Sequence, residues 1–132
     1  GLDPTRIVQI GIADFANSAA YAQRAADLGI RVITLDELRR RGAHDVIAEA
    51  REVAGRGGGG IHLDIDVDVC DRAVAPGCPA SVPGGLQAWE LRTLVRGVAA
   101  DAAERCAWRP GSGPRVATAT EVLRPDVRES AQ

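Results

Sequence analysis

A chain of 132 residues with 45% hydrophobic and 26% charged residues is long enough to bury a real core and reads as a soluble globular domain or part of one. Its formal net charge of −2, with no basic cluster interleaved with aromatics, gives no reason to expect a nucleic-acid partner. No apolar run approaches the roughly 20 residues of a membrane span, and the start does not resemble a signal peptide, so no membrane association is expected.

The chain begins at Gly1 and contains neither Met nor Lys, so the natural N-terminus is expected upstream and all 16 basic residues are Arg. Cys70, Cys78 and Cys106 are an odd number without a CxxC pair. That disfavours both a disulfide framework and a zinc ribbon, and a reducing cytoplasm is the expected compartment.

In chain order, Arg6–Ile12 is a short apolar strand ending near Gly11. Asn17 and Ser18 offer helix caps, and the Ala-rich stretch to Leu28 closes on Gly29. Arg31–Ile33 is a second strand. Thr34-Leu-Asp-Glu37 reads as a capping box that opens a short helix, stopped by Gly42. The run Arg39–Arg41 at its end complements the helix dipole rather than marking a binding patch. Ala43–Ala54 is a further helix with Val46, Ile47, Ala50 and Val53/Ala54 on one stripe.

Gly57–Gly60 is a surface break without the strand–GxxxxGK[ST]–helix context of a phosphate cradle. Ile61–Val69 is the strongest predicted strand, and the Pro/Gly-rich Asp71–Gly85 is a loop. A long helix runs from Leu86 to about Cys106, with Leu91, Leu94, Val95, Val98 and Ala102 as its buried stripe and Arg92, Arg96 and Glu104 facing solvent. Arg115–Val122 is a last strand. Trp89 and Trp108 read as packing residues. Strands separated by helices predict an α/β fold with a mostly parallel sheet, whose chemistry lies beyond the carboxyl ends of the strands.

Ile61-His-Leu-Asp-Ile-Asp-Val-Asp-Val69 carries the chemistry. Strict alternation puts Ile61, Leu63, Ile65, Val67 and Val69 on one face and His62, Asp64, Asp66 and Asp68 on the other. Carboxylates spaced about 7 Å apart on one face repel, and their repulsion grows as they leave water. A divalent cation relieves that conflict, because carboxylate oxygens suit Mg, Ca or Mn. An edge strand with a solvated acidic face is the bland alternative. An EF-hand loop from Asp64 would need Gly where Val69 stands and Glu where Ala75 stands. A nucleophilic DxDx[TV] motif lacks its Thr or Val at the needed positions.

Asp66-Val-Asp68-Val-Cys-Asp71, then Ala75-Pro-Gly77, then Pro83-Gly-Gly-Leu86 with Glu90, resembles the signature of the ureohydrolase family of arginases, agmatinases and formimidoylglutamases. Ile10-Gly-Ile12, Leu28-Gly-Ile30 and the strand carrying Glu121 fall in the family's order, so the resemblance runs from about Arg6 to Pro125. It implies a three-layer α-β-α domain, truncated on its N-terminal side, of which residues 1–132 are the C-terminal part. It also implies hydrolysis of a guanidino or formimino C–N bond with two Mn2+ ions, and a homo-oligomer when the protein is complete.

On the matching positions, Asp66 and Asp68 are metal ligands and Asp71 supports the loop. Glu121 pairs with the cationic group of a small guanidino or formimino substrate. Asn17 is a possible second substrate contact, although Gly11-Ile-Ala13 departs from the Gly-Ile-Arg frequent in relatives. Asp64 and His62 fall outside the matched ligand positions, with His62 expected to be packed and His44 exposed. Cys70 reads as a packing residue. The family's remaining ligands, including an Asp-x-His-x-Asp run, and its proton-shuttling His precede this region, so no catalytic side chain is assigned within the chain. The loop from Asp71-Arg72 to Gly85 looks most like formimidoylglutamase, the histidine-degradation enzyme, since Pro more often follows the third Asp in arginases and agmatinases. Those two activities and a non-catalytic arginase-like domain are the alternatives.

Overall fold

Two parallel strands organise the chain, β1 (Val8–Ile12) and β2 (Arg31–Thr34), joined through helix α1 (Ala19–Asp27). The computed structural model describes residues 2–14, 16–58 and 60–105, with backbone alone from 101 onward. The expected strand Arg115–Val122, together with Cys106, Trp108 and Glu121, lies outside the described residues.

β1 is preceded by a 3-10 turn, Pro4–Arg6, capped by the Asp3 side chain, which shortens the expected strand by two residues. The register pairs Val8 with Arg31, Gln9 with Val32 and Ile10 with Ile33, then shifts between Ile10 and Ile12. Gly11 sits at that irregularity with φ 87°, a conformation open to glycine at little cost.

The helix starts expected at Ser18 and Thr34 are borne out, whereas the long helix expected from Leu86 opens at Ala88, with Leu86 held in a bridge to Cys70. The Ser18 hydroxyl accepts from Tyr21 N–H (3.3 Å) to open α1, and the Thr34 hydroxyl accepts from Glu37 N–H (3.1 Å) to open α2 (Leu35–Arg41). Only half of the expected capping box forms, because the Glu37 carboxylate turns to Arg31 and Arg41. Helix α3 (Ala43–Gly55) buries Val46, Ala50, Val53 and Ala54 of the expected stripe, while Ile47 is half-buried. Helix α4 (Ala88–Arg105) buries Leu94 and Val98 and exposes Arg92 and Arg96, as expected.

Trp89 departs from expectation: it is 63% exposed, because it sits on the opposite side of α4 from Leu91, Leu94 and Val98. The core joins Val8 and Ile33 from the strands to Leu35, Leu38, Val46, Ala50, Val53, Leu86 and Leu94. No helix among the described residues is long and apolar enough to cross a membrane.

The largest correction concerns Ile61–Val69. Among the described residues it joins no sheet: His62 alone is bridge-paired, and the segment ends in a 3-10 turn, Val67–Val69, followed by a parallel bridge between Cys70 and Leu86. A turn of about three residues destroys the two-residue alternation of a strand. Ile65 (44% exposed) and Val67 (54%) therefore point out, while Asp66 and Asp68 are half-buried. Strand formation depends on neighbours, and β1 and β2 pair only with each other among the described residues.

Candidate metal site

The acidic segment reaches the carboxyl end of β1 through Gly11. A Cβ at Gly11 would lie 2.8 Å from Val69 Cγ2 and 3.5 Å from Leu86 Cδ1, so only a glycine lets both side chains pack there. The Asp66–Asp68 turn thus sits where chemistry collects in parallel sheets.

Asp66 caps the turn, its Oδ1 accepting from Asp68 N–H at 3.3 Å. Burial pushes the Asp68 carboxyl above the ordinary aspartate range, and the Asp66 carboxylate beside it pushes the same way. No arginine lies within ion-pairing distance of either carboxylate among the described residues. Two hard oxygen donors held side by side without a counter-charge fit part of a divalent-cation site. They form only part of one: among the described residues, no three His, Cys, Asp or Glu side chains gather to hold an ion.

Asp64 and His62 are exposed, one pleat and more behind the pair. Exposure corrects the expectation of a packed His62, although its backbone is bridge-paired. His44 is exposed as expected, and Cys70 is buried, its thiol pushed up by burial and by Cys78 nearby. Asn17 is exposed on the loop leaving β1, next to the Ser18 cap.

Asp71 does the structural work expected of it. Its Oδ1 accepts from Ala73 N–H (2.7 Å) and its Oδ2 from Gly84 N–H (2.6 Å), closing the loop at both ends. Those two bonds hold its carboxyl below the ordinary range. Leu86 N–H donates to Val69 C=O, and Asp71 N–H donates to Leu86 C=O, both at 2.9 Å. Gly85 lies so close that a Cβ there would fall 2.5 Å from Asp71 N and 2.6 Å from the Cys70 carbonyl carbon.

Two arginines near the site hold contacts that the sequence pattern does not reveal. Arg72 donates to Ser81 C=O (2.9 Å) and Pro79 C=O (3.1 Å), pinning the far side of the loop. Arg39, absorbed into a dipole-complementing run, instead donates to Gly84 C=O (3.2 Å) and Gly85 C=O (3.0 Å) and pairs with Glu90 (3.4 Å). Its neighbours have other partners: Arg40 pairs with Asp36, and Arg41 with Glu37, Asp45 and Glu49. A run of like charges gave no sign that its members diverge. Burial pushes the Glu90 carboxyl up, but Gln87 N–H (2.7 Å) and Arg39 outweigh it and hold the group below its ordinary value. A cleft of about 300 Å3 between α2 and the start of α4 is edged by Leu38, Arg39, Ala43, Trp89, Glu90 and Leu94; Asn17, Asp66 and Asp68 do not line it.

The model of the arginase family matches residues 1–106. This chain belongs to the arginase family. It is 40% identical over 92 residues to a formimidoylglutamase of Halalkalibacterium halodurans, covering 70% of this chain and 28% of that protein. It is 41% identical over 97 residues to a guanidinopropionase of Pseudomonas aeruginosa, covering 74% of this chain and 30% of that one. The crystal structure of formimidoylglutamase from Bacillus subtilis superimposes with a TM-score of 0.71 at 32% identity, covering 89% of this chain and 33% of that chain. The arginase-like α/β fold is therefore established, and the chain spans about three tenths of the curated relatives it matches.

Proposed function

We propose that this chain is the C-terminal part of an arginase-like domain in a manganese-dependent amidine hydrolase, and that the substrate is formimidoylglutamate. The observation that carries the reading is the Asp66–Asp68 pair: two half-buried carboxylates on one turn, at the carboxyl end of β1, with no arginine partner among the described residues. Such a pair gains most from a divalent ion, because binding removes both the mutual repulsion and the cost of burial. Bound ions supply Lewis acidity and a water of lowered pKa.

Asp66 and Asp68 hold the metal. Asp71 keeps the loop after them closed through Ala73 and Gly84. Glu121 pairs with the substrate's amidinium group, a planar cation that suits a carboxylate in directional, charge-assisted bonds. Asn17, beyond the end of β1, is the second substrate contact. In the overall reaction water adds to the formimino carbon, the C–N bond to the glutamate nitrogen breaks, and that nitrogen leaves protonated. Formamide and glutamate are the products, as in histidine degradation. The proton-shuttling histidine and the remaining ligands come from the part of the domain before Gly1.

Formimidoylglutamate is favoured over guanidino substrates by the loop Asp71–Gly85, in which Arg72 follows the third Asp, and by the similarity to a formimidoylglutamase. A guanidino substrate with urea release is the second reading, favoured by a similar degree of identity to a guanidinopropionase. The test is formamide and urea release by the full-length protein with added Mn2+. Formimidoylglutamate should be turned over with a higher kcat/KM than agmatine, arginine or guanidinopropionate. Faster urea release from any guanidino compound would transfer the assignment to the second reading. No turnover of any of them, in a protein that retains metal, would leave a non-catalytic domain.

A further inference from the structure

We propose that Arg39 is a positioning residue for the metal-bearing turn Asp66–Asp68, acting from helix α2 through the backbone of Gly84, Gly85 and Leu86; this rests on Asp66 and Asp68 being metal ligands. The guanidinium meets three acceptors at once. Nη1 donates to Gly84 C=O, Nη2 to Gly85 C=O, and Nε and Nη2 face the two Glu90 oxygens at 3.4 Å. Glu90 is itself fixed, since it accepts from Gln87 N–H at the start of α4. Arg39 thereby ties two successive carbonyls of the loop to two helices.

From those carbonyls the linkage to the aspartates runs through backbone and the Asp71 carboxylate. Gly84 N–H is held by the Asp71 carboxylate, and Gly85 presses against Cys70 and Asp71 with no room for a Cβ. Leu86 bonds to Val69 on one side and Asp71 on the other. Val69 follows Asp68 directly, and neighbouring Cα atoms are fixed about 3.8 Å apart. A shift of Gly84–Leu86 therefore displaces the end of the turn that carries Asp68. Metal affinity depends on ligands held in place before the ion arrives, and loss of supporting contacts typically lowers it about 10- to 100-fold.

The planar fork matters as much as the charge. A lysine ammonium in the same place is a single point, unable to span both carbonyls and the carboxylate together. Glu90→Gln leaves the Gln87 contact available but weakens the hold on Arg39, so its effect should be smaller. Arg40 supplies the control, because among the described residues it pairs with Asp36 alone, on the exposed side of the same helix.

The experiment titrates Mn2+ into the full-length protein and reads the free ion by electron paramagnetic resonance, alongside amide hydrogen exchange at Gly85 and Leu86. Arg39→Ala should weaken Mn2+ binding about 10-fold and speed exchange at both amides. Arg39→Lys should fail to restore affinity, Glu90→Gln should fall between, and Arg40→Ala should match the wild type. Unchanged Mn2+ affinity in Arg39→Ala, even with a lowered Tm, would overturn the proposal. If Arg39→Ala does not fold, unchanged affinity in Arg39→Lys overturns it equally. Wild-type protein that binds no Mn2+ would reject the metal reading itself, whereas normal wild-type binding with indifferent variants would reject Arg39 alone.

Discussion

Gly85 is where a single methyl group would meet the most rigid surroundings. Its neighbours are backbone atoms of Cys70 and Asp71, 2.5–2.8 Å from where a Cβ would stand, and backbone cannot rotate aside as a side chain does. Gly85→Ala should therefore destabilise by about 1–3 kcal/mol, the usual cost of overpacking. Gly97→Ala on α4 would meet first the Ile47 side chain, whose terminal Cδ1 can swing aside by rotation about χ2, and should cost less. Denaturation of the two variants in one host decides it; equal losses would mean that the loop yields as easily as a side chain. Pro83-Gly-Gly-Leu86 was legible in sequence as a motif, but its reason was not. The clash lies across a loop of more than ten residues, and spacing carries no information about what faces a glycine. Asp71 shows the opposite case, since a carboxylate between a turn and a Gly-rich loop has backbone amides within easy reach. Glu121 belongs with neither, because it lies outside the described residues.

Elements whose signals are local are legible in the sequence, whereas the long acidic segment and the cross-element ion pairs are not. Ser18, Thr34 and the stripe Val46, Ala50, Val53 act within one helix, and each holds in the structure. Ile61–Val69 carries a strong strand pattern, yet among the described residues it is bridge-paired only at His62, and the Asp66-capped turn reverses which side chains face out. Joining β2, α2 and α3 is an ion network invisible to pattern reading. Arg31 pairs with Glu37 and Glu49, and Arg41 with Glu37, Asp45 and Glu49. Arg31 and Arg41 hold the Glu37 carboxyl below its ordinary value of 4.5, and for Glu49 the hydrogen bond from Arg31 dominates. Depressed carboxylates favour the fold when ionised, so their contribution is full above about pH 4.5 and disappears as pH falls through the lowered native values. Arg31→Gln should remove part of that acid dependence, flattening the fall of Tm between about pH 5 and pH 3. A Tm profile for Arg31→Gln that parallels the wild type throughout that range would show the network to be ornamental to stability.

At the scale of the whole molecule, a parallel α/β fold with its chemistry at a strand's carboxyl end was within reach of the sequence, because alternating elements leave few other topologies. The complete site was not, and the structure explains why: two carboxylates are gathered, and among the described residues no third ligand joins them. The proposed role of Asp66 and Asp68 therefore requires further ligands beyond the described residues. The most direct test is the Mn content of the full-length protein after dialysis, measured by elemental analysis in Asp66→Ala, Asp68→Ala and Asp64→Asn. Asp66→Ala and Asp68→Ala should each lose manganese, because the water-activating ions lose a hard oxygen ligand. Asp64→Asn should keep the wild-type content, since Asp64 is exposed behind the pair. Full manganese occupancy in Asp66→Ala, or its loss in Asp64→Asn alone, would contradict the assignment.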